Sequence, residues 1–206
     1  LKKNHSICTG CSTGCNVTIE HDRNEVFRLK PHENQSVNKW WLCDEGRLTY
    51  RKMNEKKSRI NQPLGLIGEN LEGISWEKAY GAIAERIREL KPLPHEVLAL
   101  TDTHASNEEL FLIQKLLKEG FSSENIFCPF PTWEQSESDF FINTLITTDK
   151  TPNRAGALAL QIKGDQKNKK LKKAIEGELK VVFILGNPFE NELEFKEIIK
   201  RTQLVI

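Results

Sequence analysis

Ile7-Cys8-Thr9-Gly10-Cys11-Ser12-Thr13-Gly14-Cys15-Asn16, answered much later by Trp40-Trp41-Leu42-Cys43-Asp44-Glu45-Gly46, is the part of this sequence around which the rest is organised. Its cysteines follow the spacing C-x2-C-x3-C-x27-C. Three thiolates in one short loop repel one another unless a cation or an iron–sulfur core lies between them. Gly10 and Gly14 stand between those thiols, where the backbone must fold tightly. A cubane offers four corners, so three ligands from one loop and a fourth from elsewhere suit it. Cys8, Cys11, Cys15 and Cys43 are therefore the candidate metal- and cofactor-binding residues, expected to hold one 4Fe-4S cluster. A zinc site or unligated thiols are the alternatives. Structural zinc sites usually pair two short C-x2-C knuckles, one from each half. Here the arms carry three cysteines and one, an asymmetry that favours the cubane.

Working outward, Asn16 to Glu20 and Glu25 to Lys30 alternate apolar and polar residues around the turn-forming His21-Asp22-Arg23-Asn24. They predict a β-hairpin with Val17, Ile19, Phe27 and Leu29 on the buried phase. Trp40, Trp41 and Leu42 bring apolar surface next to Cys43, as a water-excluding shell or as ordinary core. Asp44 to Tyr50 reads as a short helix or turn, and the charged stretch Lys52 to Asn61 as a connector with a domain boundary. Pro63 to Glu72 reads as extended chain with a glycine turn. Ser75 caps a helix whose Trp76, Ala79, Tyr80, Ile83, Ile87 and Leu90 share one face, ended by Pro92 and Pro94.

Beyond this point the pattern alternates strand and helix. Val97 to Leu100, Ile126 to Cys128, Val181 to Leu185 and Gln203 to Ile206 are strand candidates. Ser106-Asn107-Glu108-Glu109 is a capping box opening a helix through Leu110, Ile113, Leu116 and Leu117 to Gly120. Pro129 to Ser138 reads as irregular and Phe140 to Thr147 as extended. Helices are expected near Ala157 to Ile162, over Lys167 to Glu176 and over Glu192 to Lys200. The fold class is α/β: a small hairpin-containing cluster domain, residues 1–60, followed by an α/β domain, residues 61–206, with a mostly parallel sheet.

Composition closes several routes. Lys+Arg 30 against Asp+Glu 29 leaves a net charge of +1 in 206 residues, which suggests neither nucleic acid nor an anionic surface as partner. No apolar run is long enough for a bilayer span, so direct membrane insertion is not expected. Five cysteines, four in ligand-like spacing, argue against a disulfide framework. Cys128, between Phe127 and Pro129, reads as a buried core thiol. His5, near Cys8, reads as exposed, and the Lys163 to Lys173 run as a solvated helix face. Gly186-Asn187-Pro188 reads as a simple turn. There is no G-x-G-x-x-G and no P-loop. The start at Leu1 and the stop at Ile206 suggest a piece of something larger.

The cysteine spacing, Cys11-Ser12-Thr13-Gly14-Cys15-Asn16 and Val37-Asn38-Lys39-Trp40-Trp41-Leu42-Cys43-Asp44-Glu45-Gly46-Arg47 together resemble the molybdopterin oxidoreductase family, and within it the G subunit of bacterial NADH:quinone oxidoreductase (respiratory complex I). Pro63-Leu64 through Ser75-Trp76-Glu77-Lys78-Ala79 resembles the segment that follows the cluster domain there. The likeness runs from Ile7 to about Phe127. It implies a cluster-binding domain leading into an α/β domain which, in active relatives, cradles a bis-pterin molybdenum or tungsten cofactor. Those relatives commonly carry a lysine two residues after the last cluster cysteine; here that position is Glu45, beside Asp44. With a chain of only 206 residues as the second reason, molybdopterin is not expected. A carboxylate at Glu45 would also oppose adding an electron to an anionic cluster.

The resemblance further implies an oxidoreductase component with no catalytic residue of its own and no NADH or quinone site. Its partners would be other subunits of a respiratory complex, or a missing N-terminal ferredoxin-like domain. Its place would be cytoplasmic, peripheral on the inner membrane through those partners. The competing functions are the front part of a molybdopterin oxidoreductase such as a formate dehydrogenase or nitrate reductase, and a four-cysteine zinc interaction module.

Overall fold

The computed structural model describes residues 1–55, 59–130, 146–165, 169–188 and 192–206. The chain forms two compact units that interleave in sequence. One gathers Leu1–Lys56, Thr103–Asn107 and Phe130–Ile162; the other gathers Lys57–Asp102, Glu108–Pro129 and Lys163–Ile206. The first break falls within the charged stretch Lys52 to Asn61.

In the N-terminal unit, β1 (Lys2–Ile7), β2 (Asn16–Asp22) and β3 (Glu25–Pro31) form an antiparallel sheet in that order. Arg23 and Asn24 connect β2 to β3 with φ of 48° and 64°, the pair of left-handed residues that a tight hairpin turn of matching twist requires. β1 is exposed along its whole length, so no alternation in Lys2–Ile7 announces it. One expectation fails on this sheet. A register shift between Glu20 and His21 sets His21 opposite Val26 instead of Phe27. Phe27 is consequently exposed, and Val26 packs against the core.

The core of this unit is Cys8, Cys15, Val17, Leu29 and Leu42, with Ile19, Val26 and Tyr50 partly buried against it. On the other face, the buried Glu20 carboxylate pairs with Arg28, with Lys30 at 3.2 Å and with Lys3 at 4.0 Å. These cations hold its carboxyl below the usual range, the Arg28 hydrogen bond foremost. Two short helices follow, α1 (Asp44–Leu48) and α2 (Tyr50–Met53). Asn54, just after α2, exchanges hydrogen bonds with both backbone groups of Val26 at 3.0 and 2.6 Å, tying the helices to β3.

In the second unit, β4 (Leu64–Ile67) and β5 (Asn70–Gly73) form a separate hairpin. α3 (Trp76–Leu90) starts where expected, Ser75 accepting a hydrogen bond from the Lys78 amide. Lys91, at φ 42°, ends it. The main sheet runs β10-β9-β6-β7-β8, built from β6 (Val97–Thr101), β7 (Ile126–Phe130), β8 (Lys163–Asp165), β9 (Val181–Leu185) and β10 (Leu204–Val205). Its pairs β6–β7, β6–β9 and β9–β10 are parallel. β6 is buried at every residue, as a central strand covered on both faces must be. Leu98, Leu100, Phe127, Leu171, Leu179, Val182 and Ile198 make the core. Cys128 is fully buried, as expected.

α4 (Asn107–Lys115) gives way to a wider π-type turn over Leu116–Gly120, so the helix does not run regularly to Gly120. The helix expected near Ala157 to Ile162 lies earlier, as α5 (Arg154–Ala159), because Gln161 turns left-handed at φ 59°. α6 (Lys169–Glu176) and α7 (Glu192–Arg201) stand where the sequence suggests. The irregular stretch after Pro129 and the extended stretch before Thr147 fall largely on residues 131–145, outside the described residues.

Candidate metal centre

The first three cysteines lie on the loop between β1 and β2. Its ends are locked by the Cys8 amide donating to the Cys15 carbonyl at 2.8 Å. To close in so few residues the loop passes through Gly14 at φ 63°, a conformation in which a side chain is strained. Cys8 and Cys15 thereby point into the apolar core at 7% exposure each, while Cys11 stays partly open.

The fourth cysteine is brought in by a residue that composition alone does not flag. Asn38 is buried; its Oδ1 accepts from the Asn16 amide at 3.0 Å. Its Nδ2 faces the carbonyls of Trp41 at 3.0 Å, His32 at 3.3 Å and Asn16 at 3.4 Å. Asn16 directly follows Cys15, so this one amide side chain pins the Cys43 arm to the Cys15 strand. The only sequence signal for it is its membership of the Val37–Arg47 motif. Leu42 then inserts into the core at 2% exposure. Trp40 and Trp41 do not form the expected shell: they are 67% and 43% exposed. The chain reverses around Asn38, and only Leu42 is carried inward.

Cys43 caps α1, its Sγ accepting the Gly46 amide at 3.3 Å. Gly46 is buried against two thiols at once. A Cβ there would lie 2.9 Å from Cys8 Sγ and 3.6 Å from Cys43 Sγ, and 3.1 Å from Leu42 Cδ1. The Gly46 position is a cradle floor that any side chain would fill.

The two buried thiols respond to burial and to the sulfurs near them. Burial pushes the Cys15 thiol up to about 11, and Cys11, Cys8 and Cys43 add to the rise. Burial also raises Cys8; the Gly10 amide opposes this, while Cys11, Cys43 and Glu45 reinforce it. Such thiols give up their protons to a positively charged inorganic core, and amide N–H groups directed at sulfur stabilise the thiolates that result. The donor set and its cradle thus fit an iron–sulfur cluster. Among the described residues, no three His, Cys, Asp or Glu side chains are close enough to share a single metal ion.

A third arm reaches this loop from far downstream. The Ser12 amide donates to the Asp149 carbonyl at 2.9 Å. The next residue, Lys150, pairs with Glu45. Glu45 is therefore not the bare carboxylate that the sequence suggests. His5 is exposed, on β1, its ring 4.0 Å from that of His32.

Residues 1–55 match the molybdopterin oxidoreductase Fe4S4 domain. Over 127 residues, 61% of this chain and 18% of the relative, the sequence is 32% identical to the NADH-quinone oxidoreductase G subunit of Rickettsia bellii. Over 128 residues, 61% of this chain and 13% of each relative, it is 27% identical to the "Probable oxidoreductase YjgC" of Bacillus subtilis and 25% identical to a "Putative formate dehydrogenase" of Staphylococcus aureus. The chain spans less than a fifth of the length of these relatives.

Proposed function

We propose that this chain, whose first 55 residues match a molybdopterin oxidoreductase Fe4S4 domain, is the iron–sulfur electron-transfer (or structural cluster) segment of an oxidoreductase, of the type found in the G subunit of NADH-quinone oxidoreductase. The observation that supports this reading most is that the Sγ atoms of Cys8 and Cys43, 35 positions apart in the matched domain, flank the same Gly46 position, with Cys15 buried in the same core. These residues would hold one 4Fe-4S cluster, which when bound supplies a centre for one-electron oxidation and reduction. Cys8 and Cys15 exclude water from their side of the site, and the Gly46 amide orients Cys43 and stabilises negative charge on its sulfur.

Residues 1–60 would be the cluster-binding domain and residues 61–206 a truncated or degenerate molybdopterin-oxidoreductase-like domain. Catalysis would belong to the larger assembly; this chain would bind neither NADH nor quinone. Its partners would be other subunits of a respiratory complex, or a ferredoxin-like domain, holding it on the cytoplasmic face of the inner membrane. No helix among the described residues is long and apolar enough to cross a membrane.

The relatives with oxidoreductase and formate dehydrogenase names, matching over a similar span, favour a second reading as the front of a molybdopterin enzyme. Glu45, in place of the bridging lysine of such enzymes, weighs against it. A zinc module held by the same four cysteines is the third reading. Anaerobic purification followed by metal and sulfide analysis separates the three. A brown protein with about four irons and four sulfides supports the first reading. Molybdenum or tungsten with pterin selects the second, and stoichiometric zinc in a colourless protein selects the third.

A further inference from the structure

The cysteine motif accounts for two arms of the site, but the structure adds Asp149–Arg154, which lies beyond the residues matched to the cluster domain. This arm is clamped twice. Its backbone holds Ser12, next to Cys11, and its Lys150 side chain holds Glu45, two residues beyond Cys43. The arm is also braced internally. The Asp149 carboxylate accepts from the Thr151 amide at 3.1 Å and from the Thr151 hydroxyl, and it faces Arg154 at 3.5 Å. Arg154 is itself half exposed. Lys150 is the more enclosed partner of its pair, its side chain 30% exposed against 69% for Glu45. Its pKa is raised by the Glu45 hydrogen bond first, with burial opposing and nearby negative charge, Glu45 foremost, adding to the rise.

We propose that Lys150 is a positioning residue for a cluster held by the four cysteines: tied to Glu45, two residues beyond Cys43, and carried by the backbone bond from Ser12, next to Cys11, to Asp149, its ammonium would raise the reduction potential of that cluster. This rests on the reading of the four cysteines as cluster ligands. A fixed cation near an anionic centre favours the state with one more electron, and a carboxylate disfavours it. Glu45 and Lys150 therefore act with opposite signs, and the pair leaves the centre closer to neutral surroundings than either alone.

The test is a dye-mediated redox titration of the purified holoprotein, followed by the EPR signal of the reduced cluster, together with its iron content. Lys150→Met is expected to lower the reduction equilibrium constant about three- to tenfold, ~59 mV at the upper end for one electron. Lys150→Arg is expected to keep the potential near wild type. Glu45→Gln, at an exposed position, is expected to raise it. Full iron content with unshifted potentials in Lys150→Met and Glu45→Gln overturns the role of Lys150 and leaves the cluster reading standing. If Lys150→Met loses iron, Glu45→Gln decides: a raised potential supports the electrostatic role, an unchanged one overturns it. Wild-type protein without a 4Fe-4S signal overturns both readings.

Discussion

At the scale of the residue, Gly46 carries more structural consequence than its place in the sequence suggests. It looks like a poor helix former inside a short helix, yet its missing side chain is what lets Cys8, Leu42 and Cys43 meet. Gly46→Ala forces a methyl to 2.9 Å from Cys8 Sγ, so the thiol or α1 must move. Overpacking of this kind costs about 1–3 kcal/mol. Reconstituted Gly46→Ala protein is expected to bind markedly less iron than wild type, measured as iron per folded chain. Asn38 is a similar case: a polar residue in a polar stretch whose value lies in four backbone groups that come together only after folding. The ligand candidates were legible from spacing alone. The residues that aim them were not, because hydrogen bonding between positions far apart leaves no periodic trace. Lys150 stands 105 residues from the carboxylate it meets.

At the scale of the element, local rules did well wherever local forces decide. The hairpin turn, the start of α3 and the strands of the parallel sheet follow from turn chemistry, capping and apolar runs. Ser75→Ala removes the side-chain acceptor of the Lys78 amide and is expected to cost about 1 kcal/mol, seen as faster hydrogen exchange in the first turn of α3. The elements misread are those governed by neighbours. Phe27 follows strict alternation in the sequence, but a one-residue register shift in β2–β3 turns it outward and brings Val26 in. β1 has no apolar phase at all; it exists because β2 offers it an edge. Trp40 and Trp41 obey the hydrophobic pattern, yet the reversal at Asn38 leaves room inside for Leu42 alone.

At the scale of the whole molecule, each unit has a buried cluster of its own among the described residues, which makes their stabilities separately testable. Cys43→Ser is expected to release or convert the cluster, with loss of at least about one iron in four, while far-UV circular dichroism of the α/β portion stays close to wild type. Loss of the sheet signal along with the iron would count against independent cores. Alkaline pH probes the second core. Burial pushes the Cys128 thiol up from 9.0 to about 11, Thr101 opposing and Asp102 adding. The unfolded thiol ionises first, so the contribution of Cys128 is full below about pH 9 and is lost as pH rises toward 11. Urea denaturation at about pH 8 and about pH 10.5 should show this as a fall of at most about 3 kcal/mol, smaller in Cys128→Ala.

What the amino-acid sequence determined by itself was the chemistry available and the class of fold. The three-plus-one cysteines, the α/β alternation and the caps are short-range or compositional facts, written in spacing and period. What only the tertiary structure decided was how the site is held and charged. Asn38, the floor at Gly46, the outward turn of Phe27 and the Lys150–Glu45 pair all depend on which distant surfaces meet, and a chain read in order contains no distance between them.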